Sequence, residues 1–295
     1  MKFLGEGTFF KKYPPQKLRI AQLHPTLKNF QFYIKERMTI MLIPGLVSVT
    51  FRNLSRAEIS GLMVNAGLSA IEWGGDVHVP CMDNADEFQV ENGVTEAVYY
   101  SSQGKFYIAS YGSYYRCDGF GDFVDAADIA VSIEAPNIRV WAGKRGSADA
   151  DTDYRKKIIY NIRQLCDYVK PHGMTVSTEF HNGTLTDHYE SCVRLINEVE
   201  RDNFCTYWQP NQFRDEEYNL AALNAVLPHL TNVHVFTWDG HNKYPLADGE
   251  TKWRRYIDIL REHGGDHHML LEFVCDDTVE QFYRDAETLQ SWICK

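Results

Sequence analysis

Four polar residues stand at the ends of short apolar runs in the second half of the chain: Glu179, Gln209, His234 and Glu272. Each run has the length and composition of a β-strand, and helix-length segments separate the runs. In a barrel of parallel strands, the carboxyl ends of the strands meet on one face, where enzymes of this architecture carry their chemistry. Two carboxylates, an imidazole and a carboxamide that converge there would form a divalent-metal site.

Each of the four residues also has a structural interpretation. Glu179 could form a buried salt bridge with an arginine of a neighbouring strand, such as Arg139. His234 could be a hydrogen-bonded core residue, and Gln209 could bind a substrate hydroxyl instead of a metal ion. Glu272 favours the metal site, because a carboxylate in an otherwise apolar strand needs a cationic partner.

The elements that would position these residues repeat a strand–helix unit eight times. The first helix is typical: Ser55-Arg-Ala-Glu58 has the pattern of a capping box, and Gly67 suits the helix end. The second helix, within residues 83–104, has a weak period that Gly93 interrupts. Eight such units predict an α/β protein with a closed (β/α)8 barrel, a TIM barrel, rather than an open sheet.

The first forty residues do not fit this repeat. They contain Pro14, Pro15 and Pro25, and eight Lys/Arg against two Asp/Glu give them a charge balance of +6. Since the net charge is −10, residues 41–295 carry −16. We expect residues 1–40 to be a short N-terminal extension outside the barrel, and residues 41–295 to be the catalytic barrel domain. The alternative is that residues 1–40 form an arm that covers the barrel bottom or a subunit interface.

Composition excludes several classes of protein. The chain is 44% hydrophobic, but it has no run of about 18 apolar residues that could span a membrane. Its N-terminal end does not have the pattern of a secretory signal. The acidic body argues against a nucleic-acid partner. Seven cysteines without a CxxC pair predict reduced thiols in a cytoplasmic protein, and no nucleotide-binding or serine-nucleophile motif is present.

The order Glu, acidic residue or amide, His, Glu at the last four strand ends resembles the xylose isomerase-like TIM barrels, the sugar phosphate isomerase/epimerase group. Pro245-Leu-Ala-Asp-Gly-Glu250 before Trp253 and Leu271-Glu-Phe273 in the last strand are also similar to this family. The resemblance extends from about Pro44 to the C-terminus. It implies a site for Mn²⁺, Co²⁺, Zn²⁺ or Mg²⁺, with these ligands: Glu179, Gln209, His234 and Glu272.

Gln209 departs from the family pattern, in which this position is usually Asp. With two carboxylates only, the site is roughly neutral once a divalent ion binds, which leaves the ion more Lewis-acidic. The same group contains DNA-repair endonucleases with three zinc ions. Those enzymes need more His and Asp ligands and a basic groove, and neither is evident in this sequence.

Further residues near the strand ends are predicted to surround the substrate. His181 shares a strand face with Glu179 and is predicted to contact substrate or to act as a second acid/base, although a hydrogen-bonded strand-end histidine is the alternative. Aromatic rings at strand ends suit stacking on a sugar, or ordinary rim packing. For His78, the alternative to a substrate contact is an exposed position in a loop. The predicted substrate-binding residues are Glu72, His78, Tyr111, Arg139, Trp141 and Trp238.

These observations predict a divalent-metal-dependent isomerase or epimerase that acts on a keto-sugar or related polyol. It would abstract a proton alpha to a metal-bound carbonyl, with one of Glu179 and Glu272 removing the proton and the other returning it. One alternative is a metal-dependent lyase, dehydratase or hydrolase on a keto-sugar, in which His181 protonates the leaving group. Another is a non-catalytic sugar-binding barrel that lost activity through Gln209. The expected partner is a small sugar. The sequence does not decide whether the chain forms a homo-oligomer.

Overall fold

The computed structural model describes residues 42–119 and 123–294. The predicted extension, residues 1–40, lies outside the described residues. Eight parallel strands hydrogen-bond in sequence order around a closed barrel, in which the last strand pairs with the first. This confirms the predicted (β/α)8 fold. The barrel strands are β1 (Leu42–Val47), β2 (Ala70–Gly74), β3 (Tyr107–Gly112), β4 (Asn137–Val140), β5 (Thr175–Thr178), β6 (Phe204–Trp208), β7 (Leu230–Val235) and β10 (His267–Leu271).

One helix follows each barrel strand, and an antiparallel hairpin is inserted after β7. The hairpin strands are β8 (Thr237–Asp239) and β9 (Asn242–Tyr244). No helix in residues 42–119 and 123–294 is long and apolar enough to cross a membrane. The helices are α1 (Arg56–Ala66), α2 (Glu87–Gly104), α3 (Phe123–Ser132), α4 (Thr152–Val169), α5 (Tyr189–Val199), α6 (Glu216–Val226), α7 (Glu250–His263) and α8 (Val279–Ile293).

Local sequence signals account for the ends of α1. The Ser55 side chain accepts a hydrogen bond from the Glu58 backbone, and the Glu58 carboxylate accepts one from the Ser55 backbone, so the predicted capping box is confirmed. Gly67 ends the helix in the left-handed conformation at φ 67°, where a side chain would be strained.

The prediction that Gly93 interrupts the second helix is wrong, because α2 continues through it. A Cβ atom at Gly93 would lie 3.1 Å from Pro80 Cδ and 3.3 Å from the His78 carbonyl oxygen. The glycine therefore lets the helix approach the loop after β2 closely, and the contact offsets its poor helix propensity.

A satisfied polar network crosses the barrel interior. The Asn137 amide donates to Ser110 Oγ at 3.0 Å and to the Tyr207 hydroxyl at 3.2 Å. Asn232 donates to the same hydroxyl at 2.7 Å, and Ser177 donates to Asn137 Oδ1 at 2.7 Å. Because these groups come from five different strands, they fix strands β3 to β7 relative to one another.

Candidate metal centre and active site

Three of the four predicted ligands converge in the structure. Glu179 directly follows β5, His234 lies in β7, and Glu272 directly follows β10. His234 Nδ1 lies 3.3 Å from Glu272 Oε2 and 3.8 Å from Glu179 Oε1. One ligand atom from each residue lies within 4.8 Å of the others, and all three residues are buried.

This donor set fits one divalent ion. Two atoms that each bind a zinc-like ion at about 2.0–2.2 Å lie at most about 4.4 Å apart. The separations from His234 Nδ1 to the two carboxylates, 3.3 Å and 3.8 Å, fall within that limit. Two carboxylates and an imidazole also suit Mn²⁺, Co²⁺, Zn²⁺ and Mg²⁺ to different degrees.

Gln209 lies at the same site, directly after β6. Its Oε1 atom accepts a hydrogen bond from His234 Nδ1 at 2.8 Å. A nitrogen that carries a proton cannot bind an ion, so metal binding requires Nδ1 to release this proton. The carboxamide oxygen is therefore placed either to join the ligands or to bind a substrate hydroxyl, as the sequence predicted.

Arg139 connects two buried carboxylates beneath the pocket. Its Nε donates to Glu72 Oε1 at 2.7 Å, and its Nη1 donates to Glu179 Oε2. Burial would raise the pKa of Glu72, but the charges of Arg139 and His234 hold it at about 2. The buried ion pair that was the structural alternative for Glu179 is thus present together with the donor cluster.

Opposite charges also dominate the imidazole of His234. Burial would lower its pKa, but the carboxylates of Glu272 and Glu72 raise it to about 10. His234 and Arg139 therefore provide two positive charges, which face three carboxylates. This balance explains how so many ionisable groups stay buried together.

A pocket of about 400 Å³ opens at this face, and Arg139, Trp141, His181, Trp238 and Glu272 help to line it. The rings of His181 and Trp141 stack with centroids 4.1 Å apart. His181 Nδ1 lies 2.7 Å from the carbonyl oxygen of the next residue. A carbonyl oxygen only accepts, so Nδ1 carries a hydrogen and Nε2 remains for proton exchange in the pocket.

Three predicted substrate contacts are not supported by the structure. Glu72 is 0% exposed and lies beneath Arg139, outside the pocket wall. His78 is also buried, and its Nε2 lies 3.1 Å from the Leu54 carbonyl oxygen. The alternative of an exposed loop position for His78 is therefore wrong. The Tyr111 hydroxyl donates to the Val79 carbonyl oxygen at 2.9 Å. His78 and Tyr111 thus use their polar atoms to hold loops at the end of the first strands.

One polar group in the pocket wall is not among the residues predicted from the sequence. Arg52 Nε lies 2.6 Å from Asp76 Oδ2, and its Nη2 donates to the Tyr114 hydroxyl at 2.8 Å. Arg52 and Tyr114 line the pocket. Arg52 directly follows Phe51, which closes the first strand-like run of the barrel region, and that position in the sequence could have indicated it.

Comparison with known proteins agrees with this architecture. Residues 64–292 match the xylose isomerase-like TIM barrel family, and the chain belongs to that family. The chain is 39% identical over 169 residues to a 3-dehydroshikimate dehydratase of Bacillus anthracis, across 50% of this chain and 59% of that protein. The chain thus matches 59% of the length of the curated relatives it resembles.

Solved structures show the same fold at low sequence identity. A probable 3-DHS dehydratase from Bacillus anthracis has a TM-score of 0.69 and 19% identity, with 85% of this chain and 99% of that chain covered. A xylose isomerase-like protein from Mycobacterium smegmatis in complex with magnesium has a TM-score of 0.66 and 16% identity, over 86% and 97%. D-allulose 3-epimerase from Methylomonas sp., in complex with D-allulose, has a TM-score of 0.64 and 14% identity, over 86% and 98%.

Proposed function

We propose that the chain is a divalent-metal-dependent lyase that removes water from a polyhydroxylated keto compound, of which 3-dehydroshikimate is an example. The observation that carries this choice is the unequal engagement of the two carboxylates. Glu179 directs Oε2 to Arg139 and Oε1 towards His234. Glu272 directs Oε2 towards His234, while its Oε1 makes no hydrogen bond within the described part of the chain. Glu272 is therefore the carboxylate with an oxygen left to accept a proton.

The residues that would hold the ion are Glu179, His234 and Glu272, with Gln209 beside them. A bound divalent ion would act there as a Lewis acid that polarises a substrate carbonyl and makes the neighbouring C–H group more acidic. The donor set and the similarity to a magnesium-bound structure support this assignment.

Two side chains of this chain would then move the protons. Glu272 takes the proton from the carbon next to the carbonyl, and the electron pair of that C–H bond becomes the new C=C bond. The C–O bond of the hydroxyl one carbon further away breaks, and its electron pair leaves with the oxygen. The imidazolium form of His181 gives its Nε2 proton to that oxygen, so one water molecule forms. Exchange with solvent returns Glu272 and His181 to their starting protonation states.

Epimerisation is the second candidate, and a separate observation favours it. Carboxylates from β5 and β10 both line the pocket, so one could remove a proton and the other could return it to the opposite face. The similarity to a D-allulose 3-epimerase supports the same chemistry. In this reaction one carboxylate oxygen of Glu179 would have to leave Arg139 or His234.

A product assay separates the two reactions. Purified protein would be loaded separately with Mn²⁺, Co²⁺, Zn²⁺ or Mg²⁺ and incubated with 3-dehydroshikimate or with D-allulose. Dehydration of the cyclic compound gives an aromatic dihydroxybenzoate that absorbs in the ultraviolet, and epimerisation gives a second ketose that chromatography resolves. We expect the aromatic product, and we expect chelation to abolish it. Full activity after exhaustive chelation, or conversion of D-allulose alone, would contradict the proposal.

A further inference from the structure

Glu72 is a charged residue beside the site that takes no part in the proton transfers proposed above. It lies in β2, is 0% exposed, and is not part of the pocket wall. Its Oε1 lies 2.7 Å from Arg139 Nε and 3.9 Å from His234 Nε2. A fully buried carboxylate costs stability unless its neighbours compensate for the lost hydration. The role of Glu72 must therefore follow from these two neighbours.

The imidazole of His234 has two different sides. Nδ1 faces the donor cluster, at 2.8 Å from Gln209 Oε1 and 3.3 Å from Glu272 Oε2. Nε2 faces Glu72 and makes no hydrogen bond within the described residues. The 3.9 Å separation is too long for a hydrogen bond. A small rotation of the ring, or a bridging water, would close it.

Arg139 gives Glu72 a second route to the metal centre. The guanidinium binds Glu72 through Nε and Glu179 through Nη1. Because the guanidinium is planar and rigid, fixing one nitrogen on Glu72 also fixes the nitrogen that holds Glu179. Glu72 thus lies 3.9 Å from one ligand candidate, His234, and reaches another, Glu179, through a single side chain.

Tyr207 holds this arrangement from below. Its ring packs edge-on against His234, with centroids 5.1 Å apart and planes at 82°. Its hydroxyl oxygen accepts hydrogen bonds from Asn137 and Asn232. The hydroxyl hydrogen is therefore available for donation to a third group. Because its hydroxyl is anchored in this way, the Tyr207 ring limits the movement of the His234 ring that it packs against.

We propose that Glu72 is a positioning residue that holds two metal ligands from behind. It accepts the Nε2–H group of His234, so that Nδ1 is the ligand atom, and it orients Arg139, which fixes Glu179. Loss of a carboxylate behind a ligating histidine lowers metal affinity by about 10–100-fold. The inference rests on the metal site of the proposed function, but metal binding is measured without substrate, so either can fail alone.

Titration calorimetry with Mn²⁺ tests the proposal. We expect Glu72→Ala to weaken binding by about 10–100-fold, and Glu72→Gln to recover part of the loss, because its amide oxygen still accepts Nε2–H. Asp285→Asn is the matched control: Asp285 is a buried carboxylate that binds the Leu246 backbone and Gln281, away from the pocket lining. Its Mn²⁺ affinity should stay unchanged. Wild-type affinity in a folded Glu72→Ala protein would overturn the proposal.

Two further measurements sharpen the test, and the first uses wild-type protein, so it does not depend on how well Glu72 variants fold. In Zn²⁺-loaded wild-type protein, ¹⁵N NMR of the His234 ring should show a protonated Nε2 and a metal-bound Nδ1. The reverse assignment would overturn the proposal. In an Arg139→Met background, Glu72→Gln should still weaken Mn²⁺ binding through His234. Complete loss of that effect would mean that Glu72 acts through Arg139 alone, which also contradicts the proposal as stated.

Discussion

The two halves of the barrel are built from the same strand–helix unit, but their strand ends do different things. Strands β5 to β10 place Glu179 and Glu272 at the pocket, where they are 5% and 8% exposed. Strands β2 and β4 contribute Glu72 and Arg139, which are 0% and 2% exposed and support those carboxylates. Glu72 therefore carries the same charge as Glu179 and Glu272 but has a different role, because it lies behind the pocket wall. The second half supplies reactive groups, and the first half holds them in place.

The strongest test of this division compares the two pocket carboxylates. Glu272→Gln should lower kcat by about 10²–10⁴-fold, because it removes the proposed base. Glu179→Gln should lower metal occupancy, and saturating Mn²⁺ should restore part of its activity. Steady-state kinetics across a Mn²⁺ series would measure both effects. Metal rescue of Glu272→Gln to wild-type turnover would show that Glu272 is a ligand only.

Replacing Arg139, which supports the buried carboxylates, should destabilise the fold more than removing a surface ion pair does. Arg139→Met leaves two buried carboxylates without their cation, and we expect it to reduce the free energy of unfolding by about 3–5 kcal/mol. Arg201→Met is the control, since Arg201 and Asp167 form an ion pair with side chains 30% and 49% exposed. That change should cost at most about 1 kcal/mol. Urea denaturation of both variants would measure the difference, and equal losses would contradict a supporting role for Arg139.

Two histidines sharpen the comparison between reactive and supporting strand ends. His181→Asn should lower kcat by about 10²-fold and leave stability nearly unchanged, because His181 faces the pocket. His78→Asn should instead lower stability and preserve the kcat of the folded protein, because His78 is buried against the loop before α1. Kinetics and thermal unfolding of the two variants give this contrast directly. A catalytic defect in His78→Asn without a stability loss would reverse the assignment.

The smallest expected effect lies at the opposite end of β10, where His268 donates to Asn232 Oδ1 at 2.8 Å. Burial, with a contribution from His267, lowers the pKa of His268 from 6.5 to about 4. The unfolded chain therefore binds more protons between those pH values, and stability falls as the pH drops from 6.5 towards 4. We expect a loss of about 3 kcal/mol over this pH range. His268→Gln should remove this part of the pH dependence, and an unchanged slope in urea titrations would exclude His268 as its source.

Much of the fold could be predicted from the sequence, because strand runs, helix periodicity and the capping box at Ser55 act locally. The convergence of Glu179, His234 and Glu272 also followed from strand order, since parallel strands end on one face. The direction of a side chain near or beyond a strand end did not follow from the sequence, which predicts His78 and Tyr111 at the pocket, where the structure does not place them. Their hydrogen bonds to backbone carbonyls depend on loop conformations that no local pattern encodes.

The sequence also does not reveal how deeply a charged residue is buried or how many partners it has. Arg139 could be named from the sequence as a partner of Glu179, but its second bond, to Glu72, depends on the barrel diameter and on strand register. The interruption predicted at Gly93 is wrong for a related reason, because Gly93 allows α2 to approach the loop after β2 closely, and helix propensity does not reveal this contact. Tertiary contacts of this kind outweigh local preferences.

Solvent deuterium exchange tests the central claim most directly, namely that this site removes a proton next to a carbonyl through Glu272. Metal-loaded protein would be incubated with a confirmed substrate in deuterated water, and the label at the carbon next to the carbonyl would be followed by NMR. Exchange should disappear in Glu272→Gln. In His181→Asn, exchange should continue while water loss slows, because the proton is removed but the hydroxyl is not protonated. Turnover without label exchange at that carbon in the wild-type protein, with no C–H bond broken there, would contradict the account.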